Sequence, residues 1–307
     1  MRKAIVIKLL LTNPSKFTNF QIEEFKKLGY EISTWIDEFE PLSKDLFDSD
    51  VVICNSLFMH NKLSNFNQLK MIQLTSVGTD RVPVEEIKKK GIRLENAGDV
   101  YSIPMAEWVM LKILEIYKET RFFEEAQYKS LWRKNRNLME LNGKVIGVLG
   151  TGNVGIEVSK RAKAFGTKTV GFNTTGNSVN TFDVCYSIQD LLSVIGEIDI
   201  LVLAVPLTEK TMNLINAKVF NTMKNNAIII NVSRGRILNE ADLIEALDKG
   251  KVRGAALDVF SEEPLSANHQ LWKNPKVIIS PHNSFVSDNV EDRLFQVIFK
   301  NLSSLIT

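Results

Sequence analysis

The sequence is poor in the features that mark many specialised classes. It has two cysteines in 307 residues, Cys54 and Cys185. Two cannot make a disulfide framework, and their spacing matches no metal motif. A reducing, cytoplasmic compartment is therefore expected. Long hydrophobic runs are missing too. The longest, Ile200–Leu207, has eight residues, and a membrane span needs about 20. Arg2 and Lys3 before Ala4–Leu11 imitate a signal peptide, but Lys8 interrupts the run and no small-x-small cleavage site follows. A first core strand is expected there. Neither sign of charge is in excess. Lys plus Arg number 38 and Asp plus Glu 36, a net charge of +2. Neither a nucleic-acid footprint nor an acidic tail is expected. No low-complexity segment or internal repeat is apparent.

What is present is ordinary globular material, 44% hydrophobic and 24% charged, in a length that suits two domains. Short β-branched runs alternate with amphipathic stretches. The spacing predicts strands at Ala4–Leu10, Asp50–Cys54, Met71–Leu74 and Ile92–Glu95. A second set follows at Val145–Leu149, Lys168–Phe172, Ile198–Val205, Ala227–Asn231, Arg253–Leu257 and Val277–Ser280. Helices are predicted at Asn19–Leu28, Val84–Lys90, Val154–Phe165, Glu240–Asp248 and Asp288–Asn301, with one long helical pattern from Ile103 to about Leu131. Repeated β-then-α order with continuous apolar strands such as Ala227–Ile230 predicts an α/β fold with parallel sheets. The long helix, apolar nearly all round, could be core, join domains or pack on a second subunit.

Glycine is unevenly placed: six of 16 fall between Gly143 and Gly166. The strand ending at Leu149 runs into Gly150-Thr151-Gly152-Asn153-Val154-Gly155, and a helical pattern follows. This is GxGxxG with a strand before and a helix after, the context in which it binds a dinucleotide. The first glycine permits the tight turn, the second lets backbone approach a pyrophosphate, and the third lets helix and strand pack closely. The helix N-terminus then offers N–H groups to the anion. An acid about 20 residues on holds the ribose hydroxyls of NAD. Here that strand ends in Asn173, followed by Thr174 and Thr175, and the next carboxylate is Asp183. Nothing there repels a 2′-phosphate, and no adjacent Arg attracts one. The choice between NAD and NADP stays open and tilts modestly to NADP.

Three polar groups follow the ends of later strands: Arg234, Glu263 and His282. In open α/β sheets ligands sit beyond the carboxyl ends of strands, so an Arg, a Glu and a His there can converge. The chain has three histidines, His60, His269 and His282. His269 reads as a loop or packing residue, and His60 follows an early strand. His282 is the candidate for moving a proton near neutrality.

Taken in order, Leu74–Asp80, Met105–Trp108, Leu141–Lys144, Gly150–Gly155, Val205–Thr208, Asn231–Gly235, Leu257–Phe260, Glu263-Pro264 and Pro281-His282 cover nearly the whole chain. With these segments it resembles the D-isomer-specific 2-hydroxyacid dehydrogenases. The resemblance implies a nicotinamide-dependent oxidoreductase acting on a small 2-oxoacid or D-2-hydroxyacid. It implies Arg234, Glu263 and His282 as catalytic residues. His282 would protonate the carbonyl oxygen, Glu263 would favour the charged imidazole, and Arg234 would bind the substrate carboxylate with its planar fork. Backbone N–H groups near Val77 and Gly78 would complete the carboxylate site. Asp258 would stand near the nicotinamide, and Val205, Pro206, Thr211 and Ser233 would line the cofactor cleft.

The resemblance also implies two doubly wound, Rossmann/flavodoxin-like domains with a cleft between them. The substrate domain would be discontinuous, 1–100 plus 285–307, and the dinucleotide-binding domain 101–284. A homodimer through a helical arm near 100–141 is expected. Side-chain specificity would come from Leu57–His60, Ser76–Gly78 and Tyr101–Met105. No sensing domain follows Thr307, so a phosphoglycerate dehydrogenase with such an extension is not expected. An NAD(P)-sensing binding protein of the corepressor type, built on the same fold, is the alternative. Relatives of that type keep the same three residues, but the lack of long interaction tails weighs against it.

Overall fold

The computed structural model describes residues 6–306, so Ala4 and Ile5 of the first expected strand lie outside them. In chain order the elements are β1 (Ile7–Thr12), α1 (Asn19–Lys27), β2 (Tyr30–Trp35), β3 (Val51–Cys54), α2 (Leu57–His60), β4 (Met71–Leu74), α3 (Val84–Lys89) and β5 (Arg93–Glu95). Next come α4 (Ser102–Tyr117), α5 (Thr120–Tyr128), β6 (Val145–Leu149), α6 (Asn153–Ala164), β7 (Lys168–Asn173), β8 (Val184–Ser187) and α7 (Leu191–Val194). The chain continues through β9 (Ile200–Leu203), α8 (Ala217–Thr222), β10 (Ala227–Asn231), α9 (Glu240–Asp248), β11 (Val252–Leu257), β12 (Val277–Ile279) and α10 (Val290–Ile306). Two compact units result, residues 1–101 with 287–307, and residues 102–286. No helix among the described residues is long and apolar enough to cross a membrane.

The first unit is a five-stranded sheet in the order β2-β1-β3-β4-β5, with every pairing parallel. Successive residues of a strand face opposite sides. Leu9, Leu11, Val51, Ile53 and Met71 therefore meet Phe25 of α1 and Leu294, Ile298 and Leu302 of α10. Leu10, Val52, Cys54, Ile72 and Leu74 form the other face with Leu57, Leu63 and Ile87. Helix α1 starts where Thr18 and Gln21 form a capping box, which satisfies two orphan N–H groups.

The second unit is a seven-stranded parallel sheet, β12-β11-β10-β9-β6-β7-β8. One face carries Ile146, Val148, Ile200, Val202, Ile228 and Ile230 against Val109, Ile113 and Tyr117 of α4 and Val158 of α6. The opposite face carries Leu149, Leu201, Leu203, Ile229 and Leu257 against Phe220 of α8 and Leu243 and Leu247 of α9. After β6 the chain winds outward to β8, then returns to β9 on the other side of β6. The β6/β9 junction is the switch point, where the carboxyl ends of such strands leave a crevice.

The long helix expected from Ile103 to Leu131 is two helices. The break falls at Glu119, which adopts a left-handed conformation, φ 52°, and pairs with Arg253 Nη2 at 2.6 Å. The apolar periodicity resumes in α5 and hides the break. Beyond α5, Tyr128 is 90% exposed and Trp132 98% exposed, so the apolar residues there are outside the core.

Candidate active site

The GxGxxG turn sits at the β6/β9 switch point, and its glycines are there for close approach. Gly150 adopts φ 106°, and a Cβ on it would lie 2.3 Å from the carbonyl oxygen of Ala204, just past β9. A Cβ on Gly155 would lie 2.0 Å from the oxygen of Gly150. Gly152 is the N-cap of α6 with no side chain capping it, and a Cβ there would meet nothing within 4 Å. Uncapped N–H groups at a helix N-terminus beside open space suit a pyrophosphate. Thr151, Asn153 and Val154 lie on this turn and the first residues of α6. Val205 and Pro206 follow β9 at the same junction.

Asn173 ends β7, but its side chain closes its own turn. Its Oδ1 accepts from the N–H groups of Thr175 at 3.1 Å and Gly176 at 2.7 Å. Its Nδ2 donates to the Asn177 carbonyl at 2.9 Å and to Thr151 Oγ1 at 3.3 Å. Asn173 Nδ2 thus donates within the chain. Thr175 Oγ1 takes part in the same turn, and Thr174 is exposed. Thr211 and Ser233 are buried, with their hydroxyls on Pro206 O at 2.8 Å and Asn231 Oδ1 at 2.9 Å. They shape the turns after β9 and β10.

Arg234, Glu263 and His282 follow β10, β11 and β12, three neighbouring strands whose carboxyl ends share one edge of the sheet. His282 Nδ1 lies 2.8 Å from Glu263 Oε2. Glu263 Oε1 accepts the Phe260 N–H at 3.0 Å. Burial pushes the Glu263 carboxyl up. The hydrogen bonds from His282 and the Phe260 N–H, with the positive charges of His282 and Arg234, outweigh it and hold the carboxyl below its ordinary value. Arg234 Nη1 donates to Ser233 O at 2.8 Å. With Nδ1 turned to Glu263, Nε2 is the ring nitrogen of His282 available to exchange a proton with a ligand.

The backbone of His282 is left-handed, φ 52°. Asp258 holds it there. The Asp258 carbonyl accepts the His282 N–H at 2.8 Å. Its buried carboxylate accepts from Asn283 N–H at 2.7 Å, Ser284 N–H at 3.0 Å and the Ser280 hydroxyl. Asp258, expected beside the nicotinamide, thus spends its carboxylate on the turn that carries His282.

In the other unit, the turn after β4 carries Val77 and Gly78. Their carbonyls accept from Asn96 Nδ2 at 2.9 Å and Ser76 Oγ at 3.1 Å. No acceptor among the described residues takes either N–H, which leaves two donors for an anion. The Tyr101 hydroxyl donates to the Thr75 carbonyl, and burial pushes its pKa up to about 12. His60 is exposed beside Phe39, ring centroids 4.9 Å apart. His269 caps a short helical turn and lies 3.3 Å from Glu240. The reading of isolated motifs missed Glu240, whose signal was only its place after the cap Asn239.

The family model for "D-isomer specific 2-hydroxyacid dehydrogenase, NAD binding domain" matches residues 110–284. The chain is 33% identical over 306 residues to a D-3-phosphoglycerate dehydrogenase of Methanocaldococcus jannaschii, covering 98% of this chain and 58% of that protein. It thus spans little more than half the length of that relative. It is 30% identical over 287 residues to a glyoxylate reductase of Pyrococcus horikoshii, covering 89% of this chain and 86% of that one. A crystal structure of a D-isomer specific 2-hydroxyacid dehydrogenase family protein from Aeromonas salmonicida matches with a TM-score of 0.81 at 28% identity, covering 96% of this chain and 94% of that one. With a dinucleotide turn at the switch point, a His–Glu pair and an Arg on adjacent strand ends, and these relatives, the chain belongs to the D-isomer specific 2-hydroxyacid dehydrogenase family, whose chemistry is nicotinamide-dependent oxidoreduction of 2-oxoacids.

Proposed function

We propose that this chain is a reductase of small 2-oxoacids, glyoxylate and hydroxypyruvate first among them, in which His282 is the proton donor. The observation that carries this reading is the 2.8 Å His282–Glu263 pair, with Arg234 following a neighbouring strand of the same sheet. Hydride exchange with the substrate C2 is what a nicotinamide supplies when bound. His282 Nε2 gives its proton to the carbonyl oxygen as the 2-hydroxyacid forms. Glu263, ionised at neutral pH, favours the imidazolium that precedes this transfer. Arg234 takes the substrate carboxylate in a bidentate grip. The similarity to a glyoxylate reductase supports the small substrate. The first unit is then the substrate domain, and the second is the dinucleotide-binding domain.

Cofactor choice follows from Asn173. It brings no charge to the ribose site, so NADPH is accepted at least as well as NADH. A homodimer through residues 100–141 would cover Tyr128 and Trp132, and their exposure supports that arrangement. The unpaired Cys54 and Cys185 fit a reducing, cytoplasmic setting. The test is a steady-state screen of glyoxylate, hydroxypyruvate, pyruvate and bulkier 2-oxoacids with NADH and NADPH. Turnover supports the reductase; cofactor binding without turnover of any of them sinks it and favours a nucleotide sensor.

A further inference from the structure

The Glu263–His282 pair depends on where the Phe260-Ser261 peptide stands, because Glu263 hangs from the turn that begins there. Two groups clamp that peptide. On one side is Gly235, the residue after Arg234. A Cβ on Gly235 would lie 1.8 Å from Phe260 C and 2.3 Å from Ser261 N. Only a residue without a side chain allows this approach, so the backbone that carries Arg234 rests directly on the backbone that carries Glu263. On the other side is Glu240, the first residue of α9, whose side chain is 11% exposed. Glu240 Oε1 accepts the Ser261 N–H at 2.7 Å. Its second oxygen lies 3.3 Å from His269 Nε2. The other ring nitrogen of His269 accepts the Leu271 N–H at 3.3 Å, so the ring is fixed from both ends.

We infer that Glu240, oriented by His269, is a positioning residue for the reaction. It fixes the Ser261 peptide against Gly235 and so sets the register of Glu263 on His282. This rests on the reading of Glu263 and His282 given above. Glu240 does not touch the reacting atoms. Its effect passes through a peptide N–H, a type of bond that is stronger when the acceptor is ionised. The charged groups that act on Glu263 directly are His282 and Arg234. The carboxylate of Asp258 is engaged on the Asn283 and Ser284 N–H groups, and loss of Glu240 leaves it in place.

The test compares Glu240→Ala, Glu240→Asp and Glu240→Gln with Glu263→Gln as the reference. The readouts are the His282 imidazole titration in the apo protein, followed by NMR, and the pH profile of glyoxylate reduction. With three histidines in the chain, assignment by single replacement is direct. Glu240→Ala should lower the His282 midpoint and the alkaline limb together by about half the displacement that Glu263→Gln produces, part of the effect of an opposite charge close by. The kcat should fall by roughly 3–10-fold as the pair loosens, with KM for the cofactor unchanged. Glu240→Asp keeps the charge but draws it back by one methylene, and should behave like Glu240→Ala; it decides the matter if the Ala variant does not fold. Glu240→Gln keeps an oxygen for the Ser261 N–H and should restore the wild-type titration. If Glu263→Gln moves the midpoint and neither Glu240→Ala nor Glu240→Asp does, the positioning role is wrong. If Glu263→Gln itself moves nothing, the Glu263 assignment fails instead.

Discussion

Replacing Glu263 by Gln keeps the shape of the side chain and one acceptor oxygen, and removes only the charge. The charges it separates are close, Nδ1 to Oε2 being 2.8 Å. At about 4 Å between charge centres, the attraction is ~1 kcal/mol in water and ~4 kcal/mol at an effective dielectric constant near 20. Both side chains keep water contact, 31% exposed for His282 and 37% for Glu263. Screening therefore brings the interaction to about 1 kcal/mol. Since about 1.4 kcal/mol corresponds to one pH unit, the variant displaces the titration that governs reduction by somewhat under one unit. The sign follows from which form reacts. In the proposed reaction, reduction consumes the proton on His282. The Glu263 carboxyl, held below its ordinary value, is ionised across the neutral range and favours that proton. Without the charge the proton leaves at lower pH, so the alkaline limb of kcat/KM for glyoxylate moves down. For oxidation of the 2-hydroxyacid, which needs the neutral ring, the acid limb moves down as well. The assay is a profile in both directions from about pH 5 to about pH 10, where both limbs of a general acid–base step are visible. A limb displaced by less than about 0.3 unit, or displaced upward, refutes the reasoning.

His282→Asn should leave cofactor affinity near normal and lower kcat by about 10² or more, the loss expected for a general acid; stopped-flow reduction at the wild-type rate would exclude His282. Arg234→Lys keeps the charge but loses the planar fork, so KM for the 2-oxoacid should rise and kcat fall while cofactor binding, read by fluorescence titration, stays constant. Asn173→Asp keeps the acceptor oxygen for the Thr175 and Gly176 N–H groups and adds a charge at the ribose site. It should shift the ratio of kcat/KM for NADPH over NADH towards NADH by about tenfold or more, as one unfavourable charge–phosphate contact implies. An unchanged ratio would remove residue 173 from cofactor selection.

Strands buried on both faces were legible as uninterrupted apolar runs. Met71–Leu74, Val145–Leu149 and Ala227–Asn231 are read to the residue. The two strands that escaped, β2 and β8, are edge strands: exposed Glu31, Ser33 and Thr34 interrupt the apolar run of β2, and β8 is only four residues long and ends in Ser187. The left-handed break at Glu119 escaped because a helical period of 3.6 continues across it almost in phase. At the site, residue types and order were enough to single out the His, Glu and Arg, since each follows a strand end. The sequence does not reveal which polar side chains serve the ligand and which serve the chain. Asp258, Thr211, Ser233 and Asn173 are all polar residues at strand ends or in the turns after them, and all four turn their hydrogen bonds inward. That distinction depends on contacts such as Asp258 to Asn283 and Ser284, which span 25 and 26 residues.

The left-handed backbone of His282 subjects one position to two unrelated filters. Side chains other than glycine are uncommon at φ near 52°, and those that tolerate it best are Asn, Asp and His. β-Branched residues there are true outliers, with strain of about 1–3 kcal/mol to be met by the fold. Glycine and asparagine satisfy the backbone as well as histidine does, or better, yet neither can carry a proton at neutral pH. In a saturation library at position 282, abundance in the cell would follow the order set by the backbone. Turnover would follow chemistry alone, and the two rankings would agree on histidine and on little else. A proton donor at this position is thus drawn from a very short list before any catalytic demand is made of it.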